Sequence, residues 1–161
     1  MAALLALLLA IVQPASRTDW MRPESFHLAI GMKRADAVGA LRAWNPKQGR
    51  DPNELVVDYS ADKSLTLEFR RERLHAVRFE LFMLLPQARA AFEEHRAFLR
   101  GRLGEPRKST KSVLIYDNRL PNVMVVVADD PKSAQGKKGL GVLAVRYYDP
   151  ARVGPATGRR R

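Results

Sequence analysis

Cysteine is absent from this 161-residue chain. Its absence excludes disulfides, thiolate metal sites, cysteine nucleophiles and lipid attached at a cysteine. It leaves export open, because many exported chains fold without disulfides. A spanning helix is missing too: the apolar run Ala2–Val12 falls short of the roughly 20 residues a bilayer needs. Catalytic signatures are equally scarce. No H-E-x-x-H or G-x-S-x-G pattern occurs. "GKKGLG" (136–141) lacks Walker spacing and leads into a strand rather than a helix, so it offers no phosphate cradle.

The three histidines, His27, His75 and His95, have no partner histidine at metal spacing. Glu93 and Glu94 precede His95 directly, but neither stands three or four residues from it on a shared helical face. Asp129 and Asp130 precede a proline and read as a turn. The expectation is therefore no catalytic residue, no metal and no cofactor, with a binding protein favoured over an enzyme.

Acidic residues are few: 17, against 28 lysines and arginines, for a net charge of +11. Residues 101–161 carry 13 basic and 5 acidic side chains, so most of the excess lies late. Such a chain is drawn to polyanions in general, whether nucleic acid, anionic lipid, lipopolysaccharide or an acidic partner. Arg107, Lys108, Lys111, Lys137, Lys138, Arg159, Arg160 and Arg161 are the candidate polyanion-binding residues. Tyr147 and Tyr148 would add stacking, although alternation turns them to opposite faces of a strand.

The N-terminal apolar run has the length of a secretory signal core, and Pro14, Ala15 and Ser16 supply small or turn-forming residues at a cleavage point. The signal is imperfect, since no Lys or Arg precedes the run and Gln13 is large for its place. Residues 1–16 are read as a signal segment, which implies a periplasmic or secreted protein, with a buried N-terminal helix as the alternative, and residues 17–24 as a connector. Residues 25–149 form the folded α+β domain. Residues 150–161, rich in Pro, Gly and Arg, make a basic tail expected to be disordered.

Within the domain, "SFHLAIGM" alternates Phe26, Leu28 and Ile30 and predicts a strand. A helix follows, with Val38, Leu41 and Trp44 on one face. Three strands come next: "ELVVDYS", "SLTLEF" and "LHAVRFELF". The last two form a hairpin that buries Leu65, Leu67, Phe69, Val77, Phe79 and Leu81. Its other face carries Thr66, Glu68, Arg70, Arg78 and Glu80, a ladder of mixed charge able to pair across strands. A second helix spans about 86–102, with Pro86 in its first turn and Gly104 and Pro106 ending it. "SVLIYD", "NVMVVVA" and "LGVLAVRYY" are three further strands.

The two halves share a grammar of a helix followed by strands, and both "LHAVRFEL" and "VLAVRYYD" contain Ala-Val-Arg-aromatic. The strand connections are too short for parallel crossovers. The expected architecture is a tandem of helix-plus-three-strand units, 25–85 and 86–149, in one twisted antiparallel sheet with both helices on one face. The exposed ladder of Thr66, Glu68, Arg78 and Glu80 is the candidate partner-binding face.

"FHLAIGMKRADAVGAL" resembles the strand–Gly-Met–helix opening of small outer-membrane lipoproteins of the SmpA/OmlA type. "RLGEP" resembles their helix-to-sheet junction, and the tandem arrangement is similar to the β-lactamase inhibitory protein. The resemblance covers about residues 25–149. It implies an exported, non-enzymatic protein that binds an envelope protein partner through a sheet face or edge. This chain departs from the pattern in lacking the lipid-bearing cysteine and in having Lys33 where a Thr or Ser helix cap is usual. The expectation is therefore a protein without that lipid anchor. If the protein is exported, the polyanion reading points to anionic lipid or lipopolysaccharide; if it is cytosolic, to nucleic acid.

Overall fold

Alternating apolar residues form strands because successive side chains point to opposite faces. In the computed structural model, which describes residues 17–117, 121–129 and 139–150, that alternation produces one antiparallel sheet. Its strands are β1 (Lys47–Gln48), β2 (Glu54–Ser60), β3 (Lys63–Arg70), β4 (Arg73–Leu84), β5 (Lys108–Ser109), β6 (Val113–Tyr116), β7 (Asn122–Asp129) and β8 (Leu140–Tyr148). The order is β1-β2-β3-β4-β8-β7-β6-β5, so β4 and β8 meet at the centre. Two helices, α1 (Arg34–Ala40) and α2 (Leu85–Leu103), complete a mixed α+β fold.

One row of side chains shows how the core is built. Val57, Leu65, Phe79, Val145, Val125 and Leu114 are successive cross-strand neighbours from β2 to β6. All six are fully buried. Ala37 of α1, Leu41 at its C-terminal cap, and Ala88, Ala91, Phe92 and Leu99 of α2 join the same cluster. Met21, Phe26 and Leu28 from the N-terminal segment complete it. Both helices thus cover the same face of the sheet. Among the described residues, no helix covers the other face.

Four details differ from the sequence reading. Each helix is followed by four strands rather than three, because the two-residue strands β1 and β5 pair at the outer edges. Residues 26–32 are not a strand. Pro23–Phe26 is a 3-10 turn, and positive φ at His27 (56°) and Gly31 (93°) breaks the extension, so Phe26 and Leu28 reach the core from a loop. In α1 the buried residue is Ala37, while Val38 is 37 % exposed, because the helix stops at Ala40 and a separate 3-10 turn carries Trp44. Thr66 lies on the ladder face as expected but is buried by its neighbours.

The β3–β4 hairpin turns on Arg71 and Glu72, with φ of 47° and 60°. Positive φ at both central residues matches the right-handed twist of a hairpin. Glycine or asparagine adopts that backbone more easily. The turn also serves a second purpose: the Glu72 carbonyl accepts the backbone N–H of Arg34 at 2.9 Å, satisfying a free donor at the start of α1.

Candidate functional site

The uncovered face is built from the alternate residues of the same strands, and it has two halves. On β2, β3 and β4 it carries Glu54, Asp58, Glu68, Arg78 and Glu80. On β6, β7 and β8 it carries Val113, Ile115, Met124, Val126 and Val142, all half-buried. Phe82 of β4 pairs with Val142 and is 37 % exposed, and Leu84 beyond it is 53 % exposed. A sheet face wetted on one side ordinarily alternates apolar-in and polar-out. In its second half this one is largely apolar on both faces, interrupted by Arg146 and Tyr148 of β8 and Asn122 of β7.

Register, not hairpin pairing, decides the charge partners. Glu54 stands directly opposite Glu68, and Arg78 directly opposite Arg146. Like charges in such positions are unfavourable. Arg146 Nη2 relieves one conflict by donating to Glu68 Oε2 at 2.6 Å, reaching from β8 over β4 to β3. Arg78 Nε lies 3.7 Å from Glu80 Oε1 on its own strand, and Ser64 donates to Glu80 at 3.2 Å. Among the described residues no cation pairs with Glu54.

Of the predicted ladder, Glu68, Arg78 and Glu80 thus sit together on the open face, beside the buried Thr66. Arg146, the partner that Glu68 uses, lies 78 residues away and was not among the sequence candidates.

At the Glu68 end of this face a β-bulge changes what the surface can do. Glu68 pairs with Ala76 but Phe69 pairs with Leu74, so His75 is an extra residue in β4. A bulge re-aims the side chain it inserts. His75 is buried, lines a cavity of about 500 Å³ and leaves its Nδ1 without a hydrogen-bond partner. Glu54, Glu68, Arg70, Arg146 and Tyr148 share that lining. Burial, and then the nearby Arg70, push the His75 pKa below its ordinary value, although Glu68 opposes the shift. Burial thus favours the neutral ring over the imidazolium, with Nδ1 enclosed by protein.

His95 differs. It faces the core from α2 with neither ring nitrogen bonded, 5.7 Å from the Phe98 ring. Burial and then Arg22 lower its pKa to about 4. A second cavity, of about 460 Å³, lies between α2 and the N-terminal segment and is lined by Leu28, Ile30, Phe98, Leu103 and Val123. At its edge Tyr147 donates to the Met21 carbonyl and Arg102 pairs with Glu24. Among the described residues, no three His, Asp or Glu groups are placed to hold a metal ion.

Three of the polyanion candidates, Arg107, Lys108 and Lys111, lie among the described residues. Arg107 is held by Asp117. Lys108 and Lys111 are exposed near the β5 edge. Lys137, Lys138, Arg159, Arg160 and Arg161 lie outside the described residues. Tyr147 is buried and Tyr148 half-exposed, as alternation required. No described helix is long and apolar enough to cross a membrane. Comparison with protein-family models, with curated proteins and with solved structures finds no match.

Proposed function

We propose that this chain is an exported, non-enzymatic binding module of the bacterial envelope, and that it holds a protein partner against the open face of its sheet. The observation that carries this is the apolar half of that face, with Phe82 and Leu84 exposed beside Val126 and Val142. Contiguous exposed apolar surface marks interaction sites on soluble proteins. The charged half supplies what a rim needs, orientation and selectivity, through Arg78, Glu80 and the Glu68–Arg146 pair. The apolar N-terminal run supports export, and the likeness to SmpA/OmlA-type lipoproteins and to the β-lactamase inhibitory protein supports binding through a sheet. A helix ahead of four strands in each half supports the tandem origin of the domain.

Polyanion binding is the second reading. Exposed Lys108 and Lys111 favour it, but Arg107 already has Asp117 as a partner.

A photo-crosslinking residue placed at Val142, in the full chain made in a bacterial host, tests the proposal. The expected result is a discrete protein adduct in the envelope fraction, carried by a chain that has lost its first fifteen or so residues. The same residue at exposed Arg89 of α2 should give no such adduct. Equal adducts from both positions, or none from Val142, would overturn it. A full-length cytosolic chain whose ligand capture falls steeply with salt would favour polyanion binding instead.

A further inference from the structure

The cavity around His75 combines three features that a plain solvated sheet face does not require. Its lining places two carboxylates, Glu54 and Glu68, as direct cross-strand neighbours. Among the described residues, only Glu68 of the two has a cation, Arg146. The buried His75, inserted by the bulge, lines the cavity with its Nδ1 enclosed and, among the described residues, neither ring nitrogen hydrogen-bonded. Counting Asp51 with the two glutamates against Arg70 and Arg146, the lining is net negative in a chain of net charge +11. Met124 and Tyr148 give it an apolar wall, with the Arg146 guanidinium 5.5 Å from the Tyr148 ring centroid on one face and the other face left for a guest.

We propose that this cavity is a recognition pocket for a cationic side chain of the partner, an arginine guanidinium. A guanidinium fits the inventory because it is planar, lies flat on an aromatic ring and sends several donors outward in a fixed fork. One edge would meet the Glu54 carboxylate, relieving the unpaired member of the Glu54–Glu68 couple. An N–H would reach Nε2 of His75 in its Nδ1–H tautomer, because Nδ1 itself is enclosed by protein. The Glu68–Arg146 pair would stay intact, since Glu54 and His75 supply the acceptors. A lysine ammonium would satisfy Glu54 but could not span both acceptors while lying on Tyr148.

This rests on the open face being the docking surface, of which the cavity forms one end. Its test needs no partner. N-acetyl-arginine amide is titrated into the full chain while the His75 ring, Tyr148 and Met124 methyl signals are followed by nuclear magnetic resonance. The expected result is saturable shifts confined to those residues, with N-acetyl-lysine amide weaker and N-acetyl-glutamate amide inert. Glu54→Gln, half-exposed and isosteric, should weaken the response about fivefold or more through loss of a charge-assisted hydrogen bond. Glu80→Gln, outside the cavity, should leave it unchanged. No saturable shift, an equal response to the glutamate probe, or a response indifferent to Glu54→Gln would overturn the pocket. If the arginine probe fails while Val142 still crosslinks, the pocket falls and the docking face stands. If the probe binds but Val142 captures nothing, the reverse holds.

Discussion

Arg146 of β8 and Glu68 of β3 are joined at 2.6 Å although β4 runs between their strands. Ala76, beside Glu68 on β4, is fully buried and leaves the space the two side chains cross. The pair ties the second half of the sheet to the first at the side chain level, where β4 and β8 already join them through backbone bonds.

Breaking that pair should cost more than an exposed ion pair would. Glu68 and Arg146 side chains are 23 % and 33 % exposed, and Arg146 Nε is already without a partner. Glu68→Gln is expected to destabilise by about 1–2 kcal/mol. In a double-mutant cycle with Arg146→Met by urea unfolding, the coupling energy should be about 1 kcal/mol. Additive effects would mean the contact contributes nothing in solution.

The hairpin turn offers the opposite outcome. Arg71 and Glu72 hold left-handed backbone that Asn and Gly adopt at less cost. Replacing Arg71 and Glu72 with Asn and Gly should stabilise by about 1 kcal/mol, raising Tm by roughly 2–4 °C for a chain of this size. Calorimetry decides the point, and an unchanged or lower Tm would contradict it. The bond from Arg34 N–H to the Glu72 carbonyl uses only backbone atoms and survives the change.

Stability should fall on acidification because of His95. Its folded pKa is about 4 and its unfolded value 6.5, so below 6.5 the unfolded chain binds the proton more readily. The stabilisation is complete above 6.5, declines as pH falls towards 4, and levels off below. Its full size is about 3 kcal/mol. His75, whose pKa is also lowered, adds a contribution of the same sign. Unfolding curves across this range should flatten in His95→Leu, and an unaltered slope would remove His95 as the cause.

Gly141 tests the junction between α2 and the sheet. A Cβ there would come within 2.9 Å of Leu85 Cδ1 and 3.0 Å of Leu85 Cα. The second contact is with backbone, which cannot swing aside. Gly141→Ala should therefore destabilise by about 1–3 kcal/mol as an overpacked site. Gly101→Ala, where the added carbon meets nothing within 4 Å, should be neutral or stabilising.

On the open face, function and stability should separate. Phe82→Ser removes an exposed ring, so its effect on unfolding should stay within about 0.5 kcal/mol while partner capture at Val142 is lost. Phe79→Ala, on the neighbouring core row, should cost about 3–5 kcal/mol. A Phe82 variant that unfolded like the Phe79 one would show that the ring supports the fold rather than a partner.

Local alternation determined much of this protein. Leu65, Leu67 and Phe69, and Val77, Phe79 and Leu81, declare their buried face because strand period is a property of a few residues. The ends of α2 were legible from Pro86 and Gly104. The bulge left a trace as well: in "RLHAVRF" the core residues Leu74 and Val77 stand three apart, a spacing that a regular strand sends to opposite faces. Yet no short window contains Arg146 and Glu68, and only the β4–β8 register brings them together. The near-continuous apolar run "NVMVVVA" reads equally well as a strand buried on both faces. Where the helices lay decided that one face stayed open. Core burial is written in local periodicity. The cavity at His75 and the apolar half-face arise from strand order, set by packing among residues far apart in the chain.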